Sequence, residues 1–222
     1  MVQARAGSNA ERSEAARERV LQAALRAVAI NGYSGSSLAS IAAAAELTTA
    51  GLLYHFPSKH ELLVAVLAER DRLDGARFQL RGARGLAALD RLEQLVAHNA
   101  EHPELVRAFT VLLGESAGDG HPARSWAQER YLRRRENIAA ALRSGIVARE
   151  IREDVDVDAL AAQVIAMMDG LQVQWVLDPE GIDMAALFRH YLDGLRRGIR
   201  AQRAEDPTGS ELTADSPCGS AP

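Results

Sequence analysis

Residues 37–63, SLASIAAAAELTTAGLLYHFPSKHELL, decide the fold. Ser36 or Ser37 is placed to cap a helix, because a serine hydroxyl accepts from backbone N–H groups left free at a helix start. Leu38, Ile41, Ala42 and Ala45 then recur at helical spacing. Glu46-Leu47 makes a short turn, and Thr48 or Thr49 caps a second helix running through His55. Pro57 ends it, since the residue before a proline is driven out of helical geometry. Ser58 and Glu61, three apart, form a capping box for the next helix. Two short helices joined by a tight turn, with small polar residues at the second entrance, read as a helix-turn-helix. Such a unit offers the N-terminal end of its second helix to the DNA major groove.

Gly32-Tyr33, Ser36-Ser37, Ile41-Ala42 and the run from Leu47 to Lys59 together resemble the DNA-binding domain of the TetR/AcrR family of transcriptional regulators. The likeness covers about the first third of the chain; beyond it only the architecture is similar. The resemblance implies an all-α fold: a three-helix DNA-binding head, then a C-terminal bundle for ligand binding and dimerisation. Two positions depart from the usual pattern. Leu53 stands where many members have tyrosine, and Glu46 where many have glycine. Tyr54 is therefore expected to carry more of the readout, and Glu46 must tolerate the turn without glycine's freedom.

The flanking sequence fits. Residues 1–12 are small and polar without period, and read as an unstructured arm. A first helix over 13–30 places Val20, Leu21, Ala24, Leu25 and Val28 on one stripe, and Asn31-Gly32 stops it. A helix over 58–73 buries Leu62, Leu63, Val66 and Leu67 and carries a solvated run, Glu69 to Arg72. Residues 74–85 read as a loop or broken helix. Helices follow over 86–98, from Pro103 through Leu113, and from Pro122 to Ser144, where Gly145 ends the third. The helix over 156–177 is apolar on several sides, so it is buried on several sides. A last amphipathic helix covers 183–200, and the tail from residue 204 reads as disordered. The resulting division is 1–12 arm, 13–57 DNA-binding head, 58–203 ligand-binding and dimerisation domain, and 204–222 tail.

Composition narrows the options. The 222 residues carry a formal net charge of −4, which disfavours a nonspecific polybasic coat. Cys218 is the only cysteine, so no intrachain disulfide forms. No signal peptide or transmembrane segment is read, which fits a cytoplasmic location without membrane contact. No catalytic motif, cofactor loop or metal-ligand spacing stands out beyond His98 and His102, four apart. Neither an enzyme, a cofactor nor a metal is expected. Arg133-Arg134-Arg135 reads as a solvated basic face.

The expected DNA contacts are Ser36, Ser37, Thr48, Thr49, Ala50, Gly51, Tyr54, His55 and Lys59. Hydroxyls can bond phosphates or base edges, methyl groups can meet thymine methyls, and Gly51 permits close backbone approach. Leu53 and Phe56 are assigned to the core. The resemblance also implies a small-molecule effector pocket, for which Phe109, Trp126, Tyr131, Met168 and Trp175 are candidate walls. Arg107, Glu115, Gln128 and Gln172 are candidate polar contacts; the same aromatics and methionine serve equally as core. It further implies a homodimer through the last two helices, bound as a repressor to a palindromic operator. An interaction bundle without DNA affinity, a small all-α enzyme, and activation in place of repression are the alternatives.

Overall fold

The structure, a computed structural model, describes residues 2–78 and 82–201. Nine α-helices follow one another in the described residues. They are α1 (Val2–Gly35), α2 (Leu38–Ala44), α3 (Thr49–His55), α4 (Lys59–Arg77), α5 (Ala87–Ala100), α6 (Pro103–Ser116), α7 (Arg124–Val147), α8 (Val157–Leu177) and α9 (Met184–Ile199). Among those residues there is no strand, only an isolated bridge between Ile151 and Arg200. The all-α expectation holds. The expected tail, Cys218 included, lies outside the described residues.

α1 begins well before the expected boundary. The stretch read as an unstructured arm is helical from Val2, where its three alanines, two arginines and Glu11 are strong helix formers even without an apolar stripe. The break is where the sequence puts it, before a last turn to Gly35: Gly32 takes φ 68°, a conformation L side chains avoid, and kinks α1. A Cβ there would also meet Glu115 Oε1 at 2.7 Å. α4 runs on to Arg77. α6 continues through Gly114 and Glu115.

Gly145 corrects an expectation. It does not end α7, which continues to Val147 before Ala148 and the positive-φ Arg149 turn the chain. Gly145 is instead a contact point: a Cβ there would lie 2.7 Å from Ile151 Cδ1 and 2.8 Å from Gly85 Cα. The glycine lets the segment after α7 fold back onto the helix.

Apolar packing falls into three clusters. Val20, Leu21, Ala24, Ile41, Leu52, Phe56, Leu62 and Val66 make the core of the head, and Ala108 of α6 is inside it. Val28, Leu63, Leu67, Phe109 and Leu112 form a junction between α1, α4 and α6. The body core is built from α5, α7, α8 and α9, with Leu89, Leu142, Phe188 and Leu192 fully enclosed. α8 has the length and composition of a bilayer-crossing helix, but Leu160, Val164, Ile165 and Met168 spend its apolar surface inside this core. Asp156 and Asp183 cap α8 and α9, where the sequence places their starts.

Gly145→Val is expected to lower unfolding stability by about 1–3 kcal/mol through overpacking against Ile151 and Gly85. Chemical denaturation measures it, and Gly114→Ala, with open space around its Cβ position, is the control that should not show that loss.

Candidate functional site

The helix-turn-helix is fixed by its caps. Ser37 is the N-cap of α2: Ser40 N–H donates to its Oγ at 3.0 Å, and its own N–H donates back to Ser40 Oγ at 3.3 Å. Leu47 N–H closes the turn onto Ala42 O at 2.9 Å. Glu46 between them sits at φ 58°, so the missing glycine leaves a side chain in the left-handed region. Thr48 caps α3, its Oγ1 accepting from Gly51 N–H at 3.0 Å. This divides the two threonines: Thr48 holds the helix, while Thr49 is its first residue and is exposed.

Leu52 and Phe56, four apart, anchor α3 in the head core. Leu53, expected in the core, lies at the rim, 37% exposed, because its direction is a quarter-turn away from that pair. Tyr54 projects furthest, 82% exposed, its ring edge-on to His55 at 5.3 Å. Thr49, Ala50 and Ser37 are exposed; Gly51, His55 and Lys59 are half-buried. Lys59 places its ammonium 4.3 Å from the Tyr33 ring centroid, a cation–π contact across the foot of α4. Ser36 is withdrawn as a phosphate contact. It is buried, and its hydroxyl donates to Gly32 O at 2.7 Å, which satisfies it where the chain leaves α1.

A second feature lies in the body. A cavity of about 700 Å³ opens between α4, α5, α7 and α8, within the range of small-molecule sites, ~300–1,000 Å³. Of the expected wall residues, Trp126 and Met168 line it. The others do not. Phe109 is buried in the α1–α4–α6 junction, and Gln172 is buried on α8. Trp175 packs on the body core. Tyr131 donates its hydroxyl to Asp169 at 2.5 Å. Arg107 and Gln128 are exposed. Glu115 accepts from Tyr33 N–H at 3.0 Å, tying the end of α1 to α6.

The polar wall comes from Asp71 and Arg134, read as solvated surface, and from Arg130, to which the sequence reading gave no role. Asp71 on α4 accepts from Arg130 Nε at 2.9 and 3.0 Å and from Arg134 Nη2 at 3.0 Å. All three line the cavity. Arg70 beside it donates to Leu105 O at 3.0 Å and to Asn99 at 3.5 Å. Neither the run Glu69 to Arg72 nor Arg133 to Arg135 is therefore simply solvated. Arg130 is 5% exposed, with its guanidinium 4.2 Å over the Phe109 ring. Burial, reinforced by the charge of Arg134, pulls it down to about 10. Its Nη1 is buried without a hydrogen-bond partner. Burial first, then the negative charge of Asp169, pushes the Tyr131 hydroxyl up, and burial also raises Asp169. Arg130, Arg134, Asn137 and Ala141 repeat at three and four residues along α7. A periodicity count that includes polar residues finds this face; one confined to apolar residues does not.

His98, Glu101 and His102 gather at the end of α5, their ligating atoms within 4.8 Å of one another. The Arg77 guanidinium lies 2.6 Å from His98 Nε2, and its charge opposes a second cation there. Burial first, then that charge, holds His98 below its ordinary value.

Comparison with known proteins bears on the family and the fold. A profile described as BetI-type transcriptional repressor, C-terminal, matches residues 87–197, and one for bacterial regulatory proteins, tetR family, matches residues 20–66. The transcriptional regulator TtgR of Pseudomonas putida is 25% identical over 190 residues, covering 82% of this chain and 90% of that protein. A transcriptional regulator of Saccharomonospora viridis solved with choline superposes with TM-score 0.69 at 26% identity, covering 84% of this chain and 98% of that one. Bacillus subtilis FadR solved with stearoyl-CoA shares the fold, with TM-score 0.72 at 21% identity over 82% of this chain and 99% of its own.

The two threonines should separate in a mutational test. Thr48→Ala is expected to cost ~1 kcal/mol of stability through the lost cap, and Thr49→Ala under ~0.5 kcal/mol. Urea unfolding of both variants reads the difference.

Proposed function

From a chain that belongs to the TetR family of bacterial regulatory proteins, we propose a homodimeric repressor that binds a palindromic operator and is released from it by a small-molecule effector. As a family member it is a DNA-binding, ligand-responsive transcriptional regulator, not an enzyme. The observation that carries the finer reading is α3 itself. A capped helix, locked by Leu52 and Phe56, leaves Thr49, Ala50 and Tyr54 facing out. Gly51, His55, Lys59 and Ser37 flank them as proposed backbone and phosphate contacts, with Thr48 as the cap. Repression is the sign favoured by the match to a BetI-type repressor profile.

The dimer is proposed through α8 and α9, the regions 156–177 and 183–200. Val173 and Leu177 on α8 and Leu187 on α9 are exposed apolar side chains, Leu177 at 79%. An exposed apolar face on otherwise core-forming helices is what a second copy would cover. Two heads held about one DNA turn apart, ~34–36 Å, would then read two half-sites. The effector would occupy the cavity beside α4, which carries Ser58 at its foot and Asp71 further along, and would change the spacing of the heads by favouring one of two body arrangements. The location is proposed to be the cytoplasm, where DNA and effector meet.

Electrophoretic mobility shift with DNA upstream of the chain's own gene tests this reading. Retarded complexes weakening steeply with salt are expected. The double variant Thr49→Ala, Tyr54→Ala should lose at least ~2 kcal/mol of binding, about thirtyfold; unchanged binding would remove α3 as the reading helix. Sedimentation of Leu177→Arg should give a monomer where the parent gives a dimer.

A further inference from the structure

Known relatives do not decide the effector's charge: choline is a cation and stearoyl-CoA an anion. This chain's own cavity does decide it. Leu92, Ile138, Val164 and Ile165 give it aliphatic walls. One side is different, because two guanidiniums, Arg130 and Arg134, share the single carboxylate of Asp71. Among the residues that line the cavity on that side, Asp71 is the one acid facing two arginines. Arg72 and Arg133 also line the cavity, but they are paired outward with Glu69 and Glu129. Asp169 lies behind the cavity wall: its Oδ2 accepts from Tyr131, its Oδ1 is buried without a partner, and its charge offsets part of that of Arg130 and Arg134.

Arg130 makes the imbalance specific. Its Nε is taken by Asp71, and its face is covered by Phe109. Its Nη1 is buried without an acceptor. A guanidinium is always a donor and its fork suits a carboxylate, so an arginine on the cavity wall with a spare N–H favours an anionic oxygen over a cation. A cationic ligand would add like charge to an already positive wall of low polarity.

Resting on the reading of this cavity as the effector site, we infer that it takes an aliphatic organic monoanion of the carboxylate type, with its charged group at the guanidiniums of Arg130 and Arg134. The acyl or alkyl body lies along the walls from α5 and α8. The incoming carboxylate competes with Asp71 for the same two arginines. Asp71 belongs to α4, the helix that continues into the head, so occupation loosens the hold of α7 on α4. No bond is made or broken; the exchange is one carboxylate for another on a shared pair of guanidiniums.

The test uses the full chain and three ten-carbon probes below their micellar range: decanoate, decanol and decylammonium. Isothermal titration calorimetry at neutral pH should show decanoate binding at least tenfold tighter than either other probe. Arg130→Met should cost decanoate tenfold or more and leave decanol binding unchanged; Arg134→Gln gives a second reading if Arg130→Met fails to fold. Asp71→Asn should tighten decanoate binding severalfold by removing the competitor. Equal or tighter binding of decylammonium, decanoate binding indifferent to both arginine variants, or no binding of any probe would each overturn the inference. Mobility shift of the same preparation separates the two levels. DNA binding with no decanoate preference sinks only the ligand class, whereas loss of DNA binding in the parent chain sinks the regulator reading beneath it.

Discussion

Helix α4 is held by two kinds of force along one length, and the relation between head and body follows from that. Toward its start, Leu62 and Val66 are sealed into the head core with Leu52 and Phe56. In the middle, Leu63 and Leu67 meet Phe109 and Leu112 of α6. Further on the contacts turn ionic: Arg70 reaches the α6 backbone, and Asp71 takes both Arg130 and Arg134 of α7. Apolar packing of buried leucines is strong and indifferent to registry with a ligand. A buried ion pair is different, since its desolvation cost offsets most of its attraction and its net contribution is small. The first kind makes α4 a rigid part of the head. The second makes its far end exchangeable.

The same division explains what could be read from the sequence. Periodic apolar residues and caps are local signals, and the head was legible from them: Ser37 and Ser58 cap α2 and α4, and in the body Asp183 caps α9. The Thr48/Thr49 alternative could not be settled locally, because both hydroxyls satisfy the rule and only backbone direction selects Thr48. Leu53 was misplaced for a related reason: a seven-residue helix has too little surface to bury three consecutive large positions. The charged cluster was illegible because its partners lie far apart in sequence. Asp71 and Arg134 are 63 positions apart, and each sits in a run of charges that reads as solvent-facing taken alone. The candidate aromatic walls failed by the opposite route. Phe109 and Trp175 are large and apolar, which is sufficient for core packing and says nothing about a cavity.

Glycine usage shows how sequence composition and tertiary demand diverge. Gly32 is required by its backbone angle and by the proximity of Glu115, so a helix-stop reading and the structure agree. Gly145 satisfies the same sequence rule, yet it stays helical, and its lack of a side chain serves the approach of Ile151 and Gly85. Only the fold distinguishes a glycine that bends the chain from one that admits a neighbour. At Glu46 the logic is inverted: the turn wants glycine's freedom and has a glutamate at φ 58°. The strain, on the order of 1–2 kcal/mol, is tolerated because Leu47 N–H to Ala42 O and the Thr48 cap fix the turn from either side.

Rigidity at the reading end and exchangeability at the cavity are complementary demands. If the head were loosely attached, rearrangement around Asp71 would be absorbed before it reached α3. It is not loosely attached: Ala108 of α6 is packed within the head core, and Glu115 of α6 holds the Tyr33 amide at the end of α1. The body thus grips the head at α1 and at α4, by two separate contacts. A shift of α4 alone would have to slide against the α1–α6 contact. Packed interfaces resist gradual deformation, so such a system moves between discrete arrangements or not at all. On the proposed reading, Asp71 is a polar site along α4 where a ligand would alter the balance without opening an apolar core, because two donors and one acceptor already meet there.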